Sequence, residues 1–133
     1  MNIKKVFDSK NLLVNSNLQI YKAIEKLNNS QANCLLVTKA GKLEGTLTDS
    51  DLRRKGFFKK RNDTIRSIFN PKPKYVFFDN YKNFNCQKIF NNFSYIDVIP
   101  IVNKKMEIKE LAFRESLESN IKKSKNNSKI NVL

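Results

Sequence analysis

What most limits this chain is a pattern that returns. A shift of about 65 residues lays Ile24 on Ile89, Val37 on Val102 and Leu52 on Leu117. Such self-similarity argues for two copies of one supersecondary unit, each covering apolar surface the other cannot bury alone. In the first copy, residues 12–14 read as a short strand closed by Asn15, Ser16 and Asn17. Leu18, Ile20, Tyr21, Ala23, Ile24 and Leu27 then recur at helical spacing, with Asn17 as N-cap. Residues 28–33 break that helix, and 34–37 form an apolar run of strand length. A turn over 39–42 and a strand over 43–47 complete a hairpin. Thr48 opens a helix to about Lys55, which Gly56 stops.

The second copy is weaker. A short connecting helix over 63–69 ends at Asn70-Pro71, and a strand follows over 75–78. A helix over 84–93 should turn Phe84, Ile89, Phe90 and Phe93 inward. Residues 98–102 read as a strand in which Pro100 favours an edge or a strand start. A weaker strand over 108–113 and a weak helix over 115–121 close the unit.

Composition removes several function classes. None of the 133 residues is histidine, so a Ser-His-Asp triad, a Cys-His pair and an HExxH zinc site are all excluded. The chain alone is not expected to be an enzyme. Cys34 and Cys86 match neither a metal-ligand spacing nor a disulfide framework, and read as small buried hydrophobes in a reducing compartment. There is no signal-type segment and no apolar run of membrane-spanning length, so a soluble cytoplasmic chain without membrane contact is expected.

The formal net charge is +14, from 26 cations against 12 anions. Lys and Asn are both abundant, a compositional bias that supplies basicity without a purpose. The distribution is uneven, however: residues 1–52 carry seven cations and five anions, and residues 53–133 nineteen and seven. The densest run is Arg53, Arg54, Lys55, Lys59, Lys60 and Arg61, which is either one solvated helix face or a patch facing an anion.

The chemistry concentrates in residues 41–54. Gly41 permits a left-handed turn, and Gly45 inside a strand admits another backbone or a ligand. Thr48 stands at a helix N-cap with Asp51 three residues on. A hydroxyl there can donate to a phosphate oxygen, and the carboxylate one turn later can accept from ribose hydroxyls. Arg53 and Arg54 are long enough to reach a polyphosphate. The same Thr48/Asp51 pair is also an ordinary capping box, which closes a helix with no ligand at all.

Gly41-x-x-x-Gly45-x-x-Thr48-x-x-Asp51, preceded by a helix and an apolar strand and repeated once, resembles a CBS-domain pair (a Bateman module) over residues 10–117. GTLTDSDLRRKGFF at 45–58, with Asn70-Pro71-Lys72-Pro73, is similar to the CBS pair found N-terminal to sugar-1-phosphate nucleotidyltransferases, where the stretch runs near GTLTDGDIRR. The resemblance implies an α+β fold: tandem β-α-β-β-α repeats packed as a pseudo-two-fold pair with a short connecting helix. It divides the chain into a first repeat (1–61), a second, degenerate repeat (62–118) and a polar linker or tail (119–133). It also implies a regulatory module that binds an adenine nucleotide (AMP, ADP or ATP) between the repeats. Thr48 would serve the phosphate side, with Arg53 and Arg54 following, and Asp51 the ribose. Leu35, Leu36 and Val37 would wall the base, with backbone contacts near Leu13 and Val14. A homodimer and a nucleotidyltransferase domain are the implied protein partners.

The second repeat departs from this pattern. At the 65-residue shift Gly45, Thr48 and Asp51 fall on Glu110, Phe113 and Ser116; one residue earlier they fall on Lys109, Ala112 and Glu115. Either way the hydroxyl–carboxylate pair is gone, and one site at most survives. Lys129 to Leu133 resembles the start of the strand that leads into a nucleotidyltransferase domain, and a frayed apolar end explains it equally well. Two other functions compete. One is a dimerisation scaffold without a ligand. The other is nucleic-acid binding through 53–61 and the tail, which is not the expected partner because no RNP pattern, zinc module or recognition helix is present.

Overall fold

The computed structural model describes residues 1–30, 32–56, 60 and 62–114. Seven strands form two sheets. The first repeat contributes β2 (Leu13–Asn15), α1 (Ile20–Asn29), β3 (Cys34–Lys39), β4 (Lys42–Thr48) and α2 (Asp49–Lys55). The second contributes β5 (Val76–Phe77), α3 (Lys82–Asn92), β6 (Val98–Val102) and β7 (Ile108–Phe113). Strand β1 (Asn2–Lys5) and a kinked 3-10 segment (Val6–Leu12) precede them, and a 3-10 turn (Ile65–Ser67) connects them. The expected α+β architecture of two paired units is therefore present, β-α-β-β-α in the first and β-α-β-β in the described part of the second. The helix expected over 115–121 and the tail lie outside the described residues.

The sheets run β2-β3-β4 and β1-β7-β6-β5. In each repeat the strand before the helix pairs parallel with the strand after it, and a hairpin returns antiparallel. Ala40 and Gly41 both take positive φ (52° and 78°) in the first hairpin turn, the geometry that matches the twist of two-residue hairpins. The two hairpin tips bind each other: Leu43 N–H donates to the Met106 carbonyl and Ile108 N–H to that of Gly41.

The segments that precede each repeat are exchanged. β1 lies antiparallel beside β7, in the second sheet. Reciprocally, Asn70 from the connector bridges Thr46 on β4, with backbone bonds of 2.8 and 3.0 Å. Ile65 and Ile68 of the connector sink fully into the first repeat's core. Sequence order thus places 1–12 with the first repeat and 62–70 with the second, while packing places each with the other. Gly45 marks this contact. A Cβ there would meet the Asn70 carbonyl at 2.2 Å and the Phe69 ring at 2.5 Å, so it is a backbone that Gly45 admits.

Period-two alternation sorts the core into three layers. Val14, Leu35, Val37 and Leu47 face α1 with Ala23 and Leu27, while Val76, Ile99, Ile101 and Ala112 face α3 with Cys86 and Phe90. Between the sheets lie Leu12, Leu36, Leu43, Val98, Val102, Ile108 and Leu111. β3 and β6 are buried on both faces, which is why they read as unbroken apolar runs.

Several local expectations change. Gln19, not Asn17, is the N-cap of α1, and the Asn17 side chain instead accepts from Arg66. Leu12 belongs to the 3-10 segment and not to the strand. Phe84 is 68% exposed on the outer face of α3, where the inward positions are Cys86 and Phe90. Pro100 sits in an interior strand and is fully buried. The Val102 carbonyl accepts from Phe78 N–H on the β5 side, so alternation turns the Pro100 nitrogen to that side as well. β5 registers only with Ile101 and Val102, so no ladder bond is lost there.

Candidate functional site

The β4–α2 corner holds the hydroxyl and carboxylate singled out in the sequence. α2 begins there because Thr48, in extended conformation, caps it. The Thr48 oxygen accepts from Asp51 N–H at 3.4 Å, and the Asp51 Oδ2 accepts from Thr48 N–H at 2.9 Å and from its hydroxyl at 3.0 Å. This is a full capping box. The remaining carboxylate oxygen, Oδ1, accepts from the Arg54 guanidinium at 3.1 Å. Asp51 is only 3% exposed, whereas the Arg54 side chain is 70% exposed. The carboxylate is anchored, whereas its outer partner is an exposed side chain held otherwise by a long bond from its Nε to the Ser50 carbonyl at 3.4 Å.

Arg53 goes elsewhere. It pairs with Asp49 at 2.7 Å on the solvent side of α2 and lines a cavity of about 220 Å³ between α1 and α2, with Ile24, Leu27, Asn28 and Leu52. Thr48, Asp51 and Arg54 are not part of that cavity, so the basic run is split between two faces. Lys59 and Arg61 of the run lie outside the described residues.

The expected base wall also divides. Leu13 and Leu36, register partners across β2 and β3, face the layer between the repeats. Val14, Leu35 and Val37 point into the first repeat's own core and are fully enclosed there. Of the three wall residues only Leu36 borders the inter-repeat layer; of the two expected backbone-contact positions, the Leu13 side chain borders it and that of Val14 does not. Cys34 borders it too, with the carboxylates of Asp51 and Asp97 arriving from the two repeats. Burial first, and those charges second, push its thiol up to about 12. Cys86 is pushed up to about 11, again mainly by burial. Both remain protonated thiols at neutral pH.

The corresponding corner of the second repeat is built differently. Each hairpin carries a register shift, at Val37/Thr38 and at Ile101/Val102. Matching those shifts makes Ile101, not Val102, the equivalent of Val37. In the outer strands Glu110 pairs with Ile101 as Gly45 pairs with Val37, and Phe113 pairs with Val98 as Thr48 pairs with Cys34. The 65-residue register therefore holds for β4 and β7, and the equivalent of Asp51 falls outside the described residues. Glu110 reaches Lys82 of α3 at 2.7 Å.

Arg114, the next residue, turns back onto the end of α3. Its guanidinium donates to the carbonyls of Phe90 (3.1 Å), Phe93 (2.7 Å) and Ile96 (2.6 and 3.0 Å), stacks on the Phe90 ring, and faces Asp97 at 3.6 Å. It supplies the cation that a helix C-terminus favours. Burial raises the Asp97 carboxyl above its ordinary range, and Arg114 opposes that shift. Sequence reading missed Arg114, because a lone arginine after a strand carries no local signal.

Among the described residues no group of acidic or cysteine side chains could hold a metal ion, and no helix is long and apolar enough to cross a membrane. No family model and no curated protein matches the sequence. Solved structures do match. A CBS domain structure superposes at TM-score 0.63 with 23% identity, covering 90% of this chain and 98% of its own. A CBS domain pair/ACT domain protein from Thermotoga maritima gives 0.64 at 12% identity, covering 84% and 88%. CBSX2 in complex with AMP gives 0.64 at 18% identity, covering 87% and 91%. The fold is that of a CBS-domain pair.

Proposed function

We propose that this chain is a regulatory, non-catalytic CBS pair that takes one adenine nucleotide at the β4–α2 corner of its first repeat. The observation that carries the reading is the asymmetry at Asp51: a buried carboxylate fixed by its own capping box, with one oxygen covered only by an exposed arginine. A ribose hydroxyl would replace Arg54 on Oδ1, and Arg54, so released, would turn to the phosphates. Thr48 would stand on the phosphate side. Leu13 and Leu36 would offer the apolar surface nearest the cleft, with Val14, Leu35 and Val37 supporting it from the core. Arg53 would act only as a long-range charge. That a fold neighbour is crystallised with AMP supports the ligand class.

The nucleotide would act by its differential affinity for two placements of the repeats. The resemblance of residues 45–58 to the GTLTDGDIRR stretch supports a sugar-phosphate nucleotidyltransferase as the regulated neighbour, in the cytoplasm. The half-exposed Ile24 and the α1–α2 cavity support a homodimer through those helices. The division into repeats at 1–61 and 62–118 is retained, with the exchanged lead segments as its interlock.

Thermal unfolding with AMP, ADP and ATP tests this. A ligand at a hundred times its Kd adds about 2.7 kcal/mol, a shift of several degrees. Asp51→Asn should lose that shift while the unliganded protein still melts cooperatively. No shift in the wild type, or an equal shift in the variant, would overturn the proposal and favour the ligand-free dimerisation scaffold.

A further inference from the structure

Large exposed apolar side chains are not scattered over this molecule. Of the eight among the described residues, six fall between Tyr75 and Tyr95, on and around the edge strand of the second repeat. Two ring pairs and two lysine–ring contacts mark this stretch. The Tyr95 ring meets Phe93 edge-on at 5.9 Å, and Lys74 lies 4.1 Å above Phe93. Tyr75, the next residue, meets Phe77 edge-on at 5.5 Å. Phe78 follows, with Lys82 held 4.2 Å above its ring. Tyr81, 81% exposed, stands between Phe78 and Lys82 in the chain. Lys74 to Phe78 spans about 13 Å at the rise of extended chain.

The charge of this rim decides what fits it. Residues 71–88 carry four lysines and a single carboxylate, Asp79, within a chain of net charge +14; Glu110 of β7 answers Lys82, which leaves Lys72, Lys74 and Lys88. A second copy of the chain would bring like charge to like charge, and a neutral apolar partner would leave the lysines unanswered. We propose that this rim is a binding surface for single-stranded nucleic acid. The rings offer faces and edges on which unpaired bases stack, and Lys74, now lying over Phe93, moves to the phosphates beside Lys72, while Lys82 stays paired with Glu110. Such a site reads no particular sequence, since every base has a π-face. It uses none of the residues of the 53–61 run where the sequence alone would seek a polyanion, and none of the corner at Asp51.

A labelled oligo-dT 12-mer titrated with the full chain tests the inference by anisotropy, and a pyrimidine probe avoids any adenine pocket. With about three phosphates neutralised, affinity should fall about twentyfold between 50 and 200 mM salt. Tyr75→Ala with Phe77→Ala should weaken binding at least about tenfold, and the exposed Tyr95→Ala severalfold without affecting the fold. The wild type supplies its own reporter: it lacks tryptophan, and three of its four tyrosines lie on or beside this rim. Saturable quenching of tyrosine emission by the oligomer is therefore expected. The inference is overturned by absence of binding, by binding without quenching, by self-association that depends on these rings, or by affinity lost in Arg53→Ala/Arg54→Ala but kept in the rim variants.

Discussion

The ends of β4 and β7 occupy equivalent places in the two repeats and are held by opposite means. In the first repeat the chain after β4 is held by short-range partners: Thr48 and Asp51 bond each other, Arg54 completes the carboxylate, and Gly45 makes room for Asn70 to cross. In the second, the chain after β7 is held at long range. Glu110 fills the glycine position and pairs with Lys82, and Arg114 ties the carbonyls at the end of α3. A corner closed by three residues at successive i,i+3 steps leaves an exposed arginine that a ligand can displace. A corner closed by a cation inserted among four carbonyl contacts has spent its polar groups on the fold.

Exchanging residues between the corners should break this contrast, most strongly at the glycine. Gly45→Glu, the second repeat's residue, would drive a side chain into Asn70 and Phe69. A loss of about 3 kcal/mol or more is expected in urea unfolding, large enough to leave little folded protein at 37 °C. An unchanged midpoint would show that the connector does not hold the first repeat.

Arg114→Ala comes next, at about 2–3 kcal/mol, because it removes the guanidinium donors from the carbonyls of Phe90 and Ile96 and leaves that of Phe93 only the Ile96 N–H. It also strips Asp97 of the charge that opposes its raised carboxyl. A carboxyl raised in the folded state binds its proton more tightly folded than unfolded, so stability falls as pH climbs through the ordinary Asp range and above it. The variant's deficit should therefore be larger at pH 7 than at pH 4. Equal deficits would assign Arg114 a purely geometric role. Thr48→Ala is the smallest change, about 1 kcal/mol from the lost cap. A loss confined to stability, with the nucleotide shift intact, would reduce the first corner to a helix end as ordinary in purpose as the second.

What could be read in advance was local. The unbroken apolar runs at 34–37 and 98–102 announce strands buried on both faces, Ala40-Gly41 a tight hairpin, and Thr48 with Asp51 a capped helix, since each depends on neighbours within a few residues. Phe84 misled because an aromatic on a short helix is not obliged to face the core; the smaller Cys86 took the inward position. Pro100 misled because the rule against interior proline assumes a partner strand opposite its nitrogen, and β5 is too short to supply one. The expected base wall divides, Leu36 to the layer between the repeats and Leu35 and Val37 to the first repeat's own core, because successive residues of one strand face opposite sides.

The sequence by itself determined that two similar units exist, the order of their strands and helices, and which unit retained a hydroxyl and a carboxylate at its corner. Only the tertiary structure decided that the lead segments trade places, that Arg114 reaches back to α3, and that Asp51 keeps one lightly guarded oxygen. Hydrophobic period and capping chemistry act between residues a turn apart and so are written along the chain. Exchange, back-capping and exposure arise between residues tens of positions apart, and exist only once the two sheets have closed on a common layer.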